Sequence, residues 1–145
     1  MTKILLYFRT CPFEGGYAVL AGMEQALASA LAFSYSPDEL AYLKSLGSFR
    51  PDFLDYLAAF RFSGDIDAFR EGDIVFGEEV LMRVTAPLIE AQLLESMLLN
   101  IINFQTLIAT KTMRIVSAAR GKPVFDFGLR RAQAGAAMDA TRAAC

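Results

Sequence analysis

The sequence predicts a mixed α and β fold: a small antiparallel sheet with helices, then a long helical stretch that delivers a short strand. Three observations predict it. Between Asp65 and Ala86 the apolar period falls to two, with Ile66, Ala68, Ile74 and Phe76 alternating and Gly72 and Gly77 marking turns. From Pro87 to Arg120 the apolar spacing is helical. After Gly121 and Pro123, Val124–Phe127 reads as a buried strand, the first of a parallel set, ending in Gly128 and the arginines Arg130 and Arg131.

The remaining elements follow in chain order. Lys3–Arg9 reads as a strand of large apolar residues, broken by Pro12 and the pair Gly15-Gly16. Tyr17–Leu20 reads as a second strand, returning beside the first. Apolar residues at 23, 27, 30 and 31 give Gly22–Leu31 a helical spacing. Ser36-Pro37-Asp38-Glu39 is a helix start: serine caps, proline suits the first helical position, and glutamate stands three after the cap. Gly47 ends that helix, and Pro51 opens another with Phe53, Leu54, Leu57 and Phe60 inward. One straight helix from Pro87 to Arg120 would run about 51 Å, against roughly 30–40 Å for a compact domain of this size. A break is therefore expected near Asn100–Thr106, where Asn, Gln and Thr gather. Ala134–Ala144 is a final small-residue helix.

At 145 residues the chain has the length of one domain, yet 54% of it is hydrophobic and twelve residues are Phe. A monomer of this size has limited interior. The surplus implies burial against another chain or membership of something larger. Fourteen basic against sixteen acidic residues, a net charge of −2, exclude the broad phosphate neutralisation on which nucleic-acid binding rests. The apolar run after Lys3 is too short for a signal-peptide core or a membrane span. Ala86–Thr110 is interrupted by Glu90, Gln92, Glu95, Asn100, Asn103 and Gln105 and reads as a buried helix. Cys11 and Cys145 have no metal spacing, and a reduced cytosolic setting is the default. With no histidine, the chain alone builds no Ser-His-Asp triad, histidine base or histidine-ligated metal.

The residues best suited to ligand chemistry are Arg130 and Arg131. A guanidinium at the carboxyl end of a strand is well placed to hold a carboxylate or phosphate. The competing reading gives both arginines structural ion pairs, with Asp126 or Asp139. Thr110 and Lys111 are a weaker phosphate candidate, more simply a solvated lysine after a buried helix. Glu90 and Glu95 point to different helix sides, which makes them surface or interface charges rather than an acid–base pair. Glu14-Gly15-Gly16 lacks the lysine of a phosphate loop and reads as a turn, with Cys11 inert beside it.

The long runs Tyr7–Leu27 (YFRTCPFEGGYAVLAGMEQAL), Phe69–Val84 (FREGDIVFGEEVLMRV) and Pro87–Gln133 (ending GKPVFDFGLRRAQ) resemble bacterial nicotinate phosphoribosyltransferases, as does ATRAAC at Ala140–Cys145. The resemblance covers almost the whole chain, but only the front portion of the family's longer sequence. It implies an α+β / α/β fragment: residues 1–86 as the sheet-and-helix part of an α/β sandwich domain, 87–120 as a long broken helical segment, and 121–145 as the start of a truncated α/β barrel. The family's T-D-x-Y helix precedes the matching region. Its phosphorylated histidine, second nicotinate arginine and ribose-phosphate loop lie further on, so the isolated chain is expected to be inactive and to hold no catalytic residue.

The family joins nicotinate to phosphoribosyl pyrophosphate with ATP hydrolysis, which demands positioning and charge stabilisation more than covalent chemistry. Carried over residue by residue, the resemblance implies that Arg130 contacts substrate carboxylate or phosphate, Leu129 packs beside the ring, and Arg131 supports or binds phosphate. It implies Mg²⁺ and ATP as cofactors, a cytoplasmic homodimer, and no nucleic-acid or membrane partner. Phe8, Phe13 and Tyr17 form a core stripe or line a site shared between subunits. Two alternatives compete: a quinolinate phosphoribosyltransferase-like chain, which would need a denser basic pocket, and a non-catalytic module that buries its apolar face on a partner.

Overall fold

The computed structural model describes residues 1–145, apart from the side chain of Leu129. Strand β1 (Thr2–Tyr7) pairs antiparallel with β5 (Val80–Ala86), whose other edge pairs antiparallel with β3 (Asp65–Ala68). The register sets Ile4 and Ile66 both opposite Val84, and Leu6 opposite Met82. Because strand side chains alternate, Leu6, Met82 and Val84 enter the core while Leu5, Tyr7 and Arg83 face outward. A bulge between Leu6 and Tyr7 shifts the pairing as β1 ends.

The mixed class expected from sequence is what the chain adopts, with helices on small antiparallel sheets and no closed barrel. Several elements differ in their partners. Strand β2 (Ala18–Val19) does not return beside β1; it pairs with β4 (Ile74–Val75) in a separate two-stranded sheet. Although β1 is an edge strand, the hydroxyls of Thr110 and Thr106 accept from the Val19 and Ala21 N–H groups and hold this segment against the long helix that follows β5.

Helix α1 (Met23–Ala32) starts at Gly22, whose φ of 91° suits glycine. A side chain there would also press within 3.1 Å of the Ile101 carbonyl oxygen. Glycine offers no capping side chain, and Glu71 supplies the cap from far along the chain: its carboxylate accepts from the backbone N–H groups of Gly22 and Met23, 49 and 48 residues away, each at 2.7 Å. A negative charge at a helix N-terminus also meets a favourable dipole.

Helix α2 (Pro37–Ser45) forms the capping box read from sequence. The Ser36 hydroxyl accepts from the Glu39 N–H at 3.3 Å, and the Glu39 carboxylate accepts from the Ser36 N–H at 2.7 Å. Those Ser36 bonds, the backbone one first and the hydroxyl one second, hold the Glu39 carboxyl below its usual range. A depressed folded value stabilises the fold above the unfolded carboxyl pKa, and this contribution is lost as pH falls through the folded value. Acidification from about pH 5 to about pH 3 is therefore expected to lower the urea midpoint more in the unaltered chain than in Glu39→Gln. Equal slopes in the two chains would remove the capping carboxylate from the account. Helix α3 (Pro51–Ala58) buries Leu57, and Phe60 beyond it meets Phe33 edge-on at 5.5 Å.

Helix α4 (Leu88–Ala119) is one helix of 32 residues, without the break expected near Asn100–Thr106. Those polar residues interrupt nothing because they do not meet their own helix as strangers: Asn103 faces solvent, and Gln105 and Thr106 find partners across the core. Leu94, Leu98 and Ile102 pack on the sheets from the same helix, beside Leu20, Leu81 and Met82. By length and composition α4 could cross a membrane, yet this inward stripe is the core of the fold. Glu90 is also not a surface charge: it is 7% exposed and accepts from the Ser63 N–H at 2.8 Å and the Ser63 hydroxyl at 2.9 Å.

Val124–Phe127 is not a buried strand. It is irregular and exposed, with Phe127 87% accessible. A strand needs neighbours for its N–H and C=O groups, and among the described residues none lies beside this run. Helix α5 (Ala136–Ala144) then returns to α1, where Arg142 pairs with Glu24 at 3.1 Å and Gln25 donates to Asp139 at 3.3 Å.

Candidate functional site

Arg130 and Arg131 lie on a single 3₁₀ turn, Leu129–Arg131, rather than at a strand end, and both are exposed. Neither acidic residue weighed as their partner, Asp126 or Asp139, forms an ion pair with them among the described residues. Asp126 accepts from the Gly128 N–H at 2.6 Å, an Asx turn that shapes the approach to the arginines, and Asp139 accepts from Gln25. Both arginines thus stand exposed on one short turn. The packing expected of Leu129 lies outside the described residues.

A concavity lies beside the middle of α4, at Asn103 and Leu107. The loop after β1 walls a cleft of about 780 Å³, lined by Phe8, Thr10, Cys11, Pro12, Phe13, Glu14, Gly16, Gly77, Asn103 and Leu107. The loop is strained: Phe13 and Glu14 have φ of 61° and 52°. Each such non-glycine residue costs on the order of 1–3 kcal/mol and persists only where its surroundings enforce it. Glu14-Gly15-Gly16 is a turn, as expected, and Cys11 is a half-buried free thiol. Phe8 and Phe13 line the cleft, while the ring of Tyr17 lies beneath Arg114.

Three residues of α4 spaced by four hold the chain that follows this loop. Thr106 accepts from the Ala21 N–H at 3.1 Å, Thr110 accepts from the Val19 N–H at 2.9 Å, and Arg114 reaches the Tyr17 carbonyl at 3.4 Å. The match is geometric. Four helical residues rise about 6.0 Å, and two strand residues span about 6.6 Å, so every fourth helix position meets every second residue of the extended segment. Thr110 is therefore no phosphate ligand: it is fully buried, and its hydroxyl also donates to the Thr106 carbonyl at 2.6 Å. Lys111 beside it is solvated. Arg114 is the residue that sequence reading missed. The spacing 106, 110, 114 was visible; what the stripe would hold was not.

Comparison with known proteins places this geometry. The family model described as the nicotinate phosphoribosyltransferase (NAPRTase) N-terminal domain matches residues 2–103. A nicotinate phosphoribosyltransferase of Bacillus subtilis is 46% identical over 140 residues, 96% of this chain and 29% of that protein. Nicotinate phosphoribosyltransferase pncB2 of Mycobacterium tuberculosis is 43% identical over 127 residues, 88% of this chain and 27% of that protein. The chain thus spans less than a third of the length of these relatives. The crystal structure of human nicotinic acid phosphoribosyltransferase superposes with a TM-score of 0.86 at 30% identity, over 98% of this chain and 29% of that one. Nicotinate-nucleotide pyrophosphorylase from Pyrococcus furiosus shares the fold, with a TM-score of 0.71 at 22% identity over 98% of this chain and 30% of that one.

Proposed function

The chain belongs to the nicotinate phosphoribosyltransferase family, and from that membership we propose that it is the front portion of an enzyme that joins nicotinate to phosphoribosyl pyrophosphate, forming nicotinate mononucleotide and pyrophosphate with ATP hydrolysis assisting. The observation that carries this reading is the family match over residues 2–103, supported by 46% identity to the Bacillus subtilis enzyme across 96% of the chain. In this reading residues 1–86 form part of a sandwich domain, α4 links it onward, and residues 121–145 begin a barrel. The run Val124–Phe127 becomes a strand once neighbouring strands satisfy its backbone.

Such a reaction asks for a fork of donors on the nicotinate carboxylate and cationic groups on the phosphates. Arg130 and Arg131, exposed neighbours on one turn, would supply both, with Arg130 on the carboxylate or phosphate and Arg131 in support. Among the described residues no three His, Cys, Asp or Glu side chains gather into a ligand set; in this reading Mg²⁺ and ATP serve the whole protein, with Mg²⁺ held by one or two carboxylates and the substrate phosphates. We read the whole protein as a cytoplasmic homodimer.

A chimaera tests the proposal: this chain replaces the matching segment of the Bacillus subtilis enzyme. It is expected to form nicotinate mononucleotide from nicotinate and phosphoribosyl pyrophosphate, and to leave quinolinate untouched. A folded chimaera that makes no product from nicotinate, or prefers quinolinate, removes the reading.

A further inference from the structure

We propose that Arg114 is a releasable latch: it holds the Cys11–Tyr17 loop in a strained shape that walls the cleft, and losing its grip opens that wall. The inference stands on the loop's own geometry and needs no assumption about the reaction.

Four observations converge. First, Phe13 and Glu14 occupy left-handed backbone conformations in succession, so the loop would relax if nothing held it. Second, one side chain reaches both ends of the strained stretch. The Arg114 guanidinium lies over the Phe13 ring at 5.5 Å and the Tyr17 ring at 5.0 Å, and donates to the carbonyls of both residues at 3.4 Å. Third, Gly15 leaves the room: a Cβ there would overlap Arg114 Nη2. Since the φ of Gly15 is −96°, any residue could adopt its backbone, and the space is what glycine provides. Fourth, the three α4 contacts are unequal. Thr106 and Thr110 are fully buried with bonds of 3.1 and 2.9 Å, whereas Arg114 is half-buried with bonds beyond the usual range. The hold on the loop therefore rests on the ring contacts, and the segment opens from Tyr17 outward while Val19 and Ala21 stay fixed. Because Cys11, Pro12, Phe13, Glu14 and Gly16 line the cleft, that opening reshapes it.

Cys11 reports the motion. In the full 145-residue chain carrying Cys145→Ser, the rate of Cys11 alkylation by iodoacetamide is measured at one pH beside the urea midpoint. Arg114→Met keeps much of the stem and removes the guanidinium. It is expected to speed labelling about tenfold or more at a nearly unchanged midpoint, as for an opening that is local rather than global. Arg114→Lys, cationic but not planar, is expected to fall between. Gly15→Ala displaces the guanidinium without altering Arg114 and is expected to speed labelling too, which keeps the test open should Arg114→Met fail to fold. Ser36→Ala is the control, since it weakens a distant helix cap. An unchanged labelling rate in both Arg114→Met and Gly15→Ala overturns the proposal. So does an equal acceleration in Ser36→Ala, because labelling would then follow global unfolding.

Discussion

In the chimaera, Arg130→Ala is expected to raise the nicotinate concentration needed for half-maximal rate by about 100-fold, with a smaller change in kcat. The magnitude follows from removing one partner of a charge-assisted pair in a closed pocket, which costs about 2–5 kcal/mol, at about 1.4 kcal/mol per tenfold. The asymmetry follows because a carboxylate remote from the reacting nitrogen is held alike in ground and transition states, so its loss falls on KM. In the isolated chain Arg130 is exposed on its turn, where an ion pair gains little; the effect depends on the pocket being completed. Arg130→Lys keeps the charge but not the fork and is expected to recover only part of the loss. Steady-state kinetics at low nicotinate decide the matter. An unchanged KM in Arg130→Ala assigns the carboxylate to another group.

The second large effect is on stability. Leu98→Ala is expected to cost about 2–5 kcal/mol, against a total of about 5–15 kcal/mol for a typical domain. Leu98 is 1% exposed in the core shared by α4 and the sheets, and α4 cannot settle into the space because it is pinned elsewhere. Thr106 and Thr110 tie it to Ala21 and Val19, and Glu90 ties its first turn to Ser63. A cavity therefore remains. Leu99, one residue on and 42% exposed, is the matched comparison: Leu99→Ala should change the urea midpoint little. Similar losses at both positions would mean that α4 is not seated as described.

The candidate site divides along the same line as these two residues. Two adjacent arginines were legible because their chemistry and their separation are local properties; the 3₁₀ turn that carries them was not, since a strand end was expected. Their surroundings were not. The strand expected before them needs partners that the local sequence does not contain, so Val124–Phe127 lies exposed. The ion pairs weighed for them fail because Asp126 turns back on Gly128 and Asp139 meets Gln25 on α1. The latch was half legible. Positions 106, 110 and 114 share a helix face by spacing alone, but only the packed chain shows that this face grips Ala21, Val19 and Tyr17.

By itself the sequence determined what neighbours along the chain can settle: the capping box at Ser36, the prolines that open α2 and α3, the turn at Gly15-Gly16, the large apolar residues that make β1 a strand, and the alternation at Ile66 and Ala68 that makes β3 one. Such features rest on contacts within a few residues, whose geometry the backbone fixes in advance. Tertiary structure decided which strand pairs with which, that α4 runs unbroken, that Glu71 caps α1 and that Glu90 is buried on Ser63. In each case a polar group or strand edge has several possible partners by type. The one it takes is set by which distant backbone groups the fold leaves without water or another mate.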